Sequence, residues 1–146
     1  MEKQTFSITI DAPREKVWDT LWKDESYRAW TSAFSENSYA ETDWQTGSKV
    51  RFLDGKGSGM VSTIAENRPK EYMSIRHLGM VKDGVEDTSS EEVKQWAGAL
   101  ENYTLKSDGG KTELVVDLDL NTDWVEYMQN TWPKALQRLK ELAEKS

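Results

Sequence analysis

The chain has 146 residues, with 19 Lys and Arg against 26 Asp and Glu and a formal net charge of −7. It fits a single domain, 1–146, of ordinary size, and it lacks the positive field of a general binder of nucleic acid or anionic membranes. It has no Cys and one His, His77, which excludes disulfides, thiolate metal sites, thiol nucleophiles and any Ser-His-Asp arrangement that does not use His77.

Residues 4–10 alternate, with Phe6, Ile8 and Ile10 on one face and Thr5, Ser7 and Thr9 on the other, the period of a half-buried strand. Asp11-Ala12-Pro13 starts a helix running to about Lys23, in which Val17/Leu21 and Trp18/Trp22 are i,i+4 pairs on adjoining faces. A second short helix follows from Asp24 to about Trp30. Strands are predicted over 36–42, 48–53, 59–67, 71–80, 96–107 and 111–120, with Asp54-Gly55 and Asp108-Gly109-Gly110 as hairpin turns. The acidic stretch 81–95 reads as an exposed loop with a helical turn near Ser90–Gln95. The final helix is capped by Asp123, with Glu126 three residues on. Val125, Met128, Trp132, Leu136, Leu139 and Leu142 or Ala143 form its apolar stripe, and Pro133 inside it predicts a kink near Gln129–Trp132. One strand, two short helices, six strands and a long helix make an α+β domain, with the helix across one face of a seven-stranded antiparallel sheet. No apolar run is long enough for a membrane span or a secretory signal, so the expected location is cytoplasmic.

The stretches Ile10-Asp11-Ala12-Pro13-Arg14-Glu15-Lys16-Val17-Trp18, Tyr27-Arg28-Ala29-Trp30, Trp44-Gln45-Thr46-Gly47 and Gly59-Met60-Val61 follow one another in this order. Asn67-Arg68-Pro69, Glu101-Asn102-Tyr103-Thr104-Leu105, Gly110-Lys111-Thr112-Glu113-Leu114 and Trp132-Pro133-Lys134-Ala135-Leu136 complete the pattern. Together they resemble the SRPBCC (START and birch-pollen-allergen) superfamily, and most nearly its branch named for the activator of the heat-shock protein 90 ATPase. The resemblance implies a helix-grip fold, a curved seven-stranded sheet wrapped around the C-terminal helix, with a cavity between them for lipids, hormones or other apolar molecules. Some members are polyketide cyclases, and the branch name implies a chaperone partner. Fold alone does not assign the activity.

The bulky side chains expected under the helix are Trp30, Trp44, Phe52, Met60, Met73, Met80, Trp96, Tyr103, Trp124, Met128 and Trp132. Two readings stand for them: a pocket for a small apolar or aromatic molecule, which Met and aromatic side chains suit, or an ordinary filled core. His77 shares a strand face with Met73 and Ile75, as a ligand-orienting acid or base or as a hydrogen-bonded structural histidine. Glu101 shares parity with Tyr103 and Leu105, as an inward general acid or base or as an ion pair with Arg76 or another basic group. If both face the cavity, they make an acid–base pair of the kind a cyclase- or hydrolase-like reaction needs. No cofactor or metal is expected. The Gly-rich run 54–59 lacks the spacing of a phosphate loop, and Asp83, Glu86, Asp87, Glu91 and Glu92 lack that of a calcium loop and read as a solvated acidic face.

Overall fold

Strand β1, Glu2–Ile10, turns Phe6, Ile8 and Ile10 inward and leaves Thr5, Ser7 and Thr9 exposed. In the computed structural model, which describes residues 1–145, it pairs along its whole length with the last strand, β8 (Lys111–Leu120), setting Phe6 opposite Val116 and Ile8 opposite Leu114. Helices α1 (Arg14–Trp22) and α2 (Asp24–Thr31) follow, separated by the single extended residue Lys23. Val17 and Leu21 of α1 are fully buried, and Trp18 meets Trp22 edge-on at 6.0 Å.

The remaining strands are β2 (Tyr39–Glu41), β3 (Lys49–Leu53), β4 (Gly59–Arg68), β5 (Tyr72–Lys82), β6 (Val85–Asp87) and β7 (Leu100–Asp108). All pair antiparallel in the order β1-β8-β7-β5-β4-β3-β2, with β6 added beside β5. Breaks in register at Val61/Ser62 and Ile64/Glu66 mark irregularities of the bulge kind, which bend a strand and increase its twist. Helix α4, Thr122–Glu144, packs on β1, α1 and α2. The seven expected strands are therefore present, in a helix-grip arrangement with two short helices after β1.

Two local expectations change. Asn121, not Asp123, caps α4: its side chain accepts the Asp123 N–H at 3.3 Å. Pro133 lies inside the helix, whose buried face is Thr131, Trp132, Ala135, Leu136, Leu139 and Ala143, with Val125, Met128 and Leu142 partly covered, close to the expected stripe. The second change lies in the acidic stretch. Most of its side chains are exposed, as expected, and the expected helical turn is α3 (Glu91–Lys94), capped by Ser90; the element not foreseen is β6. Val93 is fully buried, as are Val61 and Val81 to within one per cent, and all three stand outside the main core cluster. Glu86 binds Lys49 Nζ at 3.0 Å and Arg51 Nη2 at 2.6 Å. Hydrogen bonds from Lys49 and then Arg51 hold its carboxyl below the ordinary glutamate value.

Gly79 is where this strap comes closest to the sheet. A Cβ there would lie 2.1 Å from the Asp87 carbonyl oxygen, and backbone cannot swing away as a side chain does. Gly79→Ala is expected to cost about 1–3 kcal/mol in urea unfolding, as overpacking does. It should also speed amide exchange where β6 pairs β5, at Val81 and Val85. Unchanged stability and exchange would show that the strap is not packed there.

Candidate functional site

The register of the central strands builds a polar row among apolar side chains. Ser62 lies opposite His77 across β4 and β5, and Glu101 lies opposite Ile75 across β5 and β7. Ser62 Oγ is 2.7 Å from His77 Nδ1, and His77 Nε2 is 3.1 Å from Glu101 Oε1. The Tyr103 hydroxyl donates to Glu101 Oε2. With Glu101 ionised and His77 neutral, one proton arrangement satisfies the whole row: Ser62 donates to Nδ1, Nε2–H donates to one carboxylate oxygen, and Tyr103 donates to the other. Arg76, the basic group named for Glu101, is exposed. The partners of Glu101 are His77 and Tyr103 instead.

The row joins the residue types of a serine-hydrolase triad, but Ser62 is completely buried, so its oxygen cannot reach a substrate carbonyl as a nucleophile must. What the row offers chemically is a hydrogen-bonded chain in which a proton can be held. The His77 side chain is 10 % exposed and that of Glu101 19 %, so they are its most accessible members. Burial first, then the negative charge of Glu101, pushes the hydroxyls of Tyr103 and Tyr27 well above the usual tyrosine value.

Around the row lies a layer of rings. Trp22 is 4.7 Å from Trp44 and 4.9 Å from Tyr103, Tyr27 is 5.8 Å from Trp44, and Phe52 meets His77 edge-on at 6.1 Å. Trp132 joins Tyr103 and Trp30 at 6.1 Å. Of the side chains named from the sequence, Trp30, Met73, Tyr103 and Trp132 sit in the main core, and Trp44, Phe52 and Met128 pack against it. Met60 and Met80 face each other across β4 and β5, half-buried and outside that cluster. Trp96 is half-buried beyond α3, also apart from it. Trp124 is 55 % exposed and stacks edge-on with Tyr127 on the first turns of α4. Sequence reasoning missed Ser62, Trp22 and Tyr27. The Trp18/Trp22 pairing signalled Trp22, whereas Ser62 meets His77 only through a shift in strand register that the sequence does not signal.

Two indole N–H groups in this layer, those of Trp22 and Trp132, are buried without an acceptor. Trp30 differs, donating to the Leu21 carbonyl at 3.1 Å. A cleft of about 70 Å³ opens beside the rings, lined by Trp22, Asp24, Tyr27, Ala40, Thr42 and Trp44. That is well below the roughly 300–1,000 Å³ of a drug-sized pocket. A wider groove of about 540 Å³ runs along the end of α4, between Ala29 and Arg138, away from the polar row. Among the described residues, no group of three or more Asp, Glu or His is placed to hold a metal ion, and no helix is long and apolar enough to cross a membrane.

A family model described as activator of Hsp90 ATPase homolog 1-like protein matches residues 11–144. The chain belongs to this family. Among solved structures, the Aha1 dimer from Colwellia psychrerythraea matches with a TM-score of 0.75 at 18 % identity, over 99 % of this chain and 97 % of that one. A protein from Mesorhizobium loti matches with a TM-score of 0.76 at 13 % identity, over 99 % of this chain and 98 % of that one. DynU16, described as a putative protein in the dynemicin biosynthetic locus, matches with a TM-score of 0.72 at 17 % identity. The match takes in 97 % of this chain and 46 % of DynU16, so this member of the activator family spans about half of that protein's length. At these identities the likeness is one of fold. No curated protein matches the sequence.

Proposed function

We propose that the layer between the sheet and α4 binds a small apolar or aromatic molecule. The observation that carries this reading is the pair of buried indole N–H groups, Trp22 and Trp132, left without acceptors in a layer otherwise made of rings. A buried donor without a partner is costly, and a guest bearing an acceptor oxygen would relieve that cost. Apolar burial would supply most of the affinity, about 25 cal/mol per Å² before ordering costs. The family membership supports the reading, and the Ser62–His77–Glu101–Tyr103 row provides a polar end for orienting the guest.

The test is thermal unfolding of the full chain against neutral lipids, flavonoids and aromatic ketones, with tryptophan fluorescence followed in parallel. A ligand at a hundred times its Kd is expected to stabilise the protein by about 2.7 kcal/mol, a rise in Tm of about 5–10 °C. The Tm should climb with ligand concentration, and Trp132→Phe, which removes one donor, should weaken binding. A panel in which nothing moves Tm or fluorescence would defeat the proposal.

The 3.1 Å contact between His77 and Glu101 favours a second reading, in which the same layer performs acid–base chemistry on its guest, as a cyclase- or hydrolase-like enzyme would. Turnover of a bound ligand that survives both His77→Gln and Glu101→Gln would dispose of it.

A further inference from the structure

We infer that the place occupied by the Trp44 indole is the seat of a neutral, planar aromatic ligand bearing a hydrogen-bond acceptor, and that Trp44 fills the seat until such a ligand displaces it. This inference rests on the reading above that the layer takes an aromatic guest, and it specifies where the guest sits and of what class it is.

Trp44 lies in the connection between β2 and β3, outside any strand. Its φ is +61°, in the left-handed region that a bulky side chain seldom adopts. Two hydrogen bonds hold it there. Its N–H donates to Thr42 Oγ1 at 3.1 Å, and its carbonyl accepts from Asn67 Nδ2 at 2.7 Å. The other end of that Asn67 amide, Oδ1, is buried with no donor. The closed position therefore combines an unfavourable backbone conformation with a half-paired latch, and such compromises persist where the surroundings impose them.

What the conformation achieves is ring placement. The indole stands 4.7 Å from Trp22, 5.8 Å from Tyr27 and 6.3 Å from Phe52. A flat ring in the same place would meet the same three faces. Trp44 also borders the 70 Å³ cleft, which in this state is too small for a ring system, so withdrawal of the indole is the step that enlarges it. Trp22, on the same wall, carries the unpartnered N–H, and this asks the incoming molecule for an acceptor. No Lys or Arg lines the cleft, and the one charged residue that does, Asp24, already pairs with Arg28 at 2.9 Å. An anion would lose its hydration there with no cation to receive it, so the ligand is neutral.

The test uses the full chain labelled with 5-fluorotryptophan, the Trp44 fluorine resonance being assigned with Trp44→Phe. The probe is 2-acetylnaphthalene, which is planar, neutral and carries one carbonyl acceptor. Titration should move the Trp44 resonance to a solvent-exposed position, with a larger H2O/D2O isotope shift, in step with binding. Trp44→Ala should bind the probe about tenfold tighter, because no side chain has to leave the seat first. 2-Naphthoate, the same rings with a carboxylate, should bind about tenfold more weakly than the ketone. A probe that binds while the Trp44 resonance stays put, or that binds Trp44→Ala no more tightly, overturns this inference and leaves ligand binding by the layer standing. Equal binding of ketone and carboxylate overturns the ligand class. If no aromatic or lipid probe binds, the seat falls together with the layer reading. Should Trp44→Ala fail to fold, the titration of the labelled wild-type chain decides by itself.

Discussion

Trp132→Ala is expected to cost about 3–5 kcal/mol of folding stability, the range for removing a large buried aromatic side chain. Trp132 is 3 % exposed. Its ring lies 6.1 Å from Phe6 of β1, 6.1 Å from Trp30 of α2, 5.1 Å from Phe34 and 6.1 Å from Tyr103 of β7. One side chain thus ties α4 to two strands of the sheet, β1 and β7, and to α2. Four rigid rings cannot collapse into the space it leaves, so a cavity term adds to the lost transfer free energy. Against a typical total of about 5–15 kcal/mol, the loss is a large share. Urea unfolding measures it. Trp132→Phe should cost distinctly less, because the indole N–H has no partner to lose. Trp30→Phe removes the donor to the Leu21 carbonyl and should cost more than its change in volume alone. A loss under about 1 kcal/mol for Trp132→Ala would mean that the layer closes up easily, contrary to the close ring contacts.

Raising the pH above about 10 is expected to unfold the protein steeply, through Tyr27 and Tyr103. Burial, then the charge of Glu101, raises both hydroxyls well above their ordinary value, and for Tyr103 the hydrogen bond it donates to Glu101 adds to the shift. The direction follows from linkage. The unfolded chain releases these protons near pH 10, while the folded chain retains them. The stabilisation is therefore whole below about pH 10 and is lost as pH rises from there toward the folded values. Each tyrosine contributes a slope of about 1.4 kcal/mol per pH unit in that window. The two together reach about 2.7 kcal/mol per unit. Urea midpoints from pH 8 to 11.5 test this, with the Tyr27→Phe/Tyr103→Phe double variant as reference. The wild-type fall should be steeper than that of the variant. Parallel slopes would assign the alkaline loss to other groups.

Much of this architecture was legible in the sequence. The two-residue alternation of β1 and β8 and the three- and four-residue spacing along α4 are local patterns, and local patterns set which face of an element is apolar. His77 and Glu101 were found in the same way, since parity along a strand says which neighbours share a face. What parity cannot say is which residue stands across the next strand. In β4 and β5 the register shifts by one residue between Val61 and Ser62: Met60 faces Met80, but Ser62 faces His77. Without that shift Ser62 would not meet the imidazole, and nothing in residues 59–80 announces it.

In the 81–95 stretch the short strand β6 was missed for a related reason. Its charged side chains are mostly exposed, as expected, yet Val93 is fully buried and Glu86 reaches Lys49 and Arg51 on β3, far away in the chain. The sequence by itself determined most of the element types and the load of aromatic side chains, because these follow from composition and short-range periodicity, while the helix-grip arrangement was implied by the resemblance that its ordered motifs carry. Only the tertiary structure decided that Trp22, Tyr27 and Trp44 come together from two helices and a connection, that two indole N–H groups lack acceptors, and that the space among them is a 70 Å³ cleft. The way rings from separate elements fill a volume depends on their distances and tilts in three dimensions, and these are set by the packing of the whole chain.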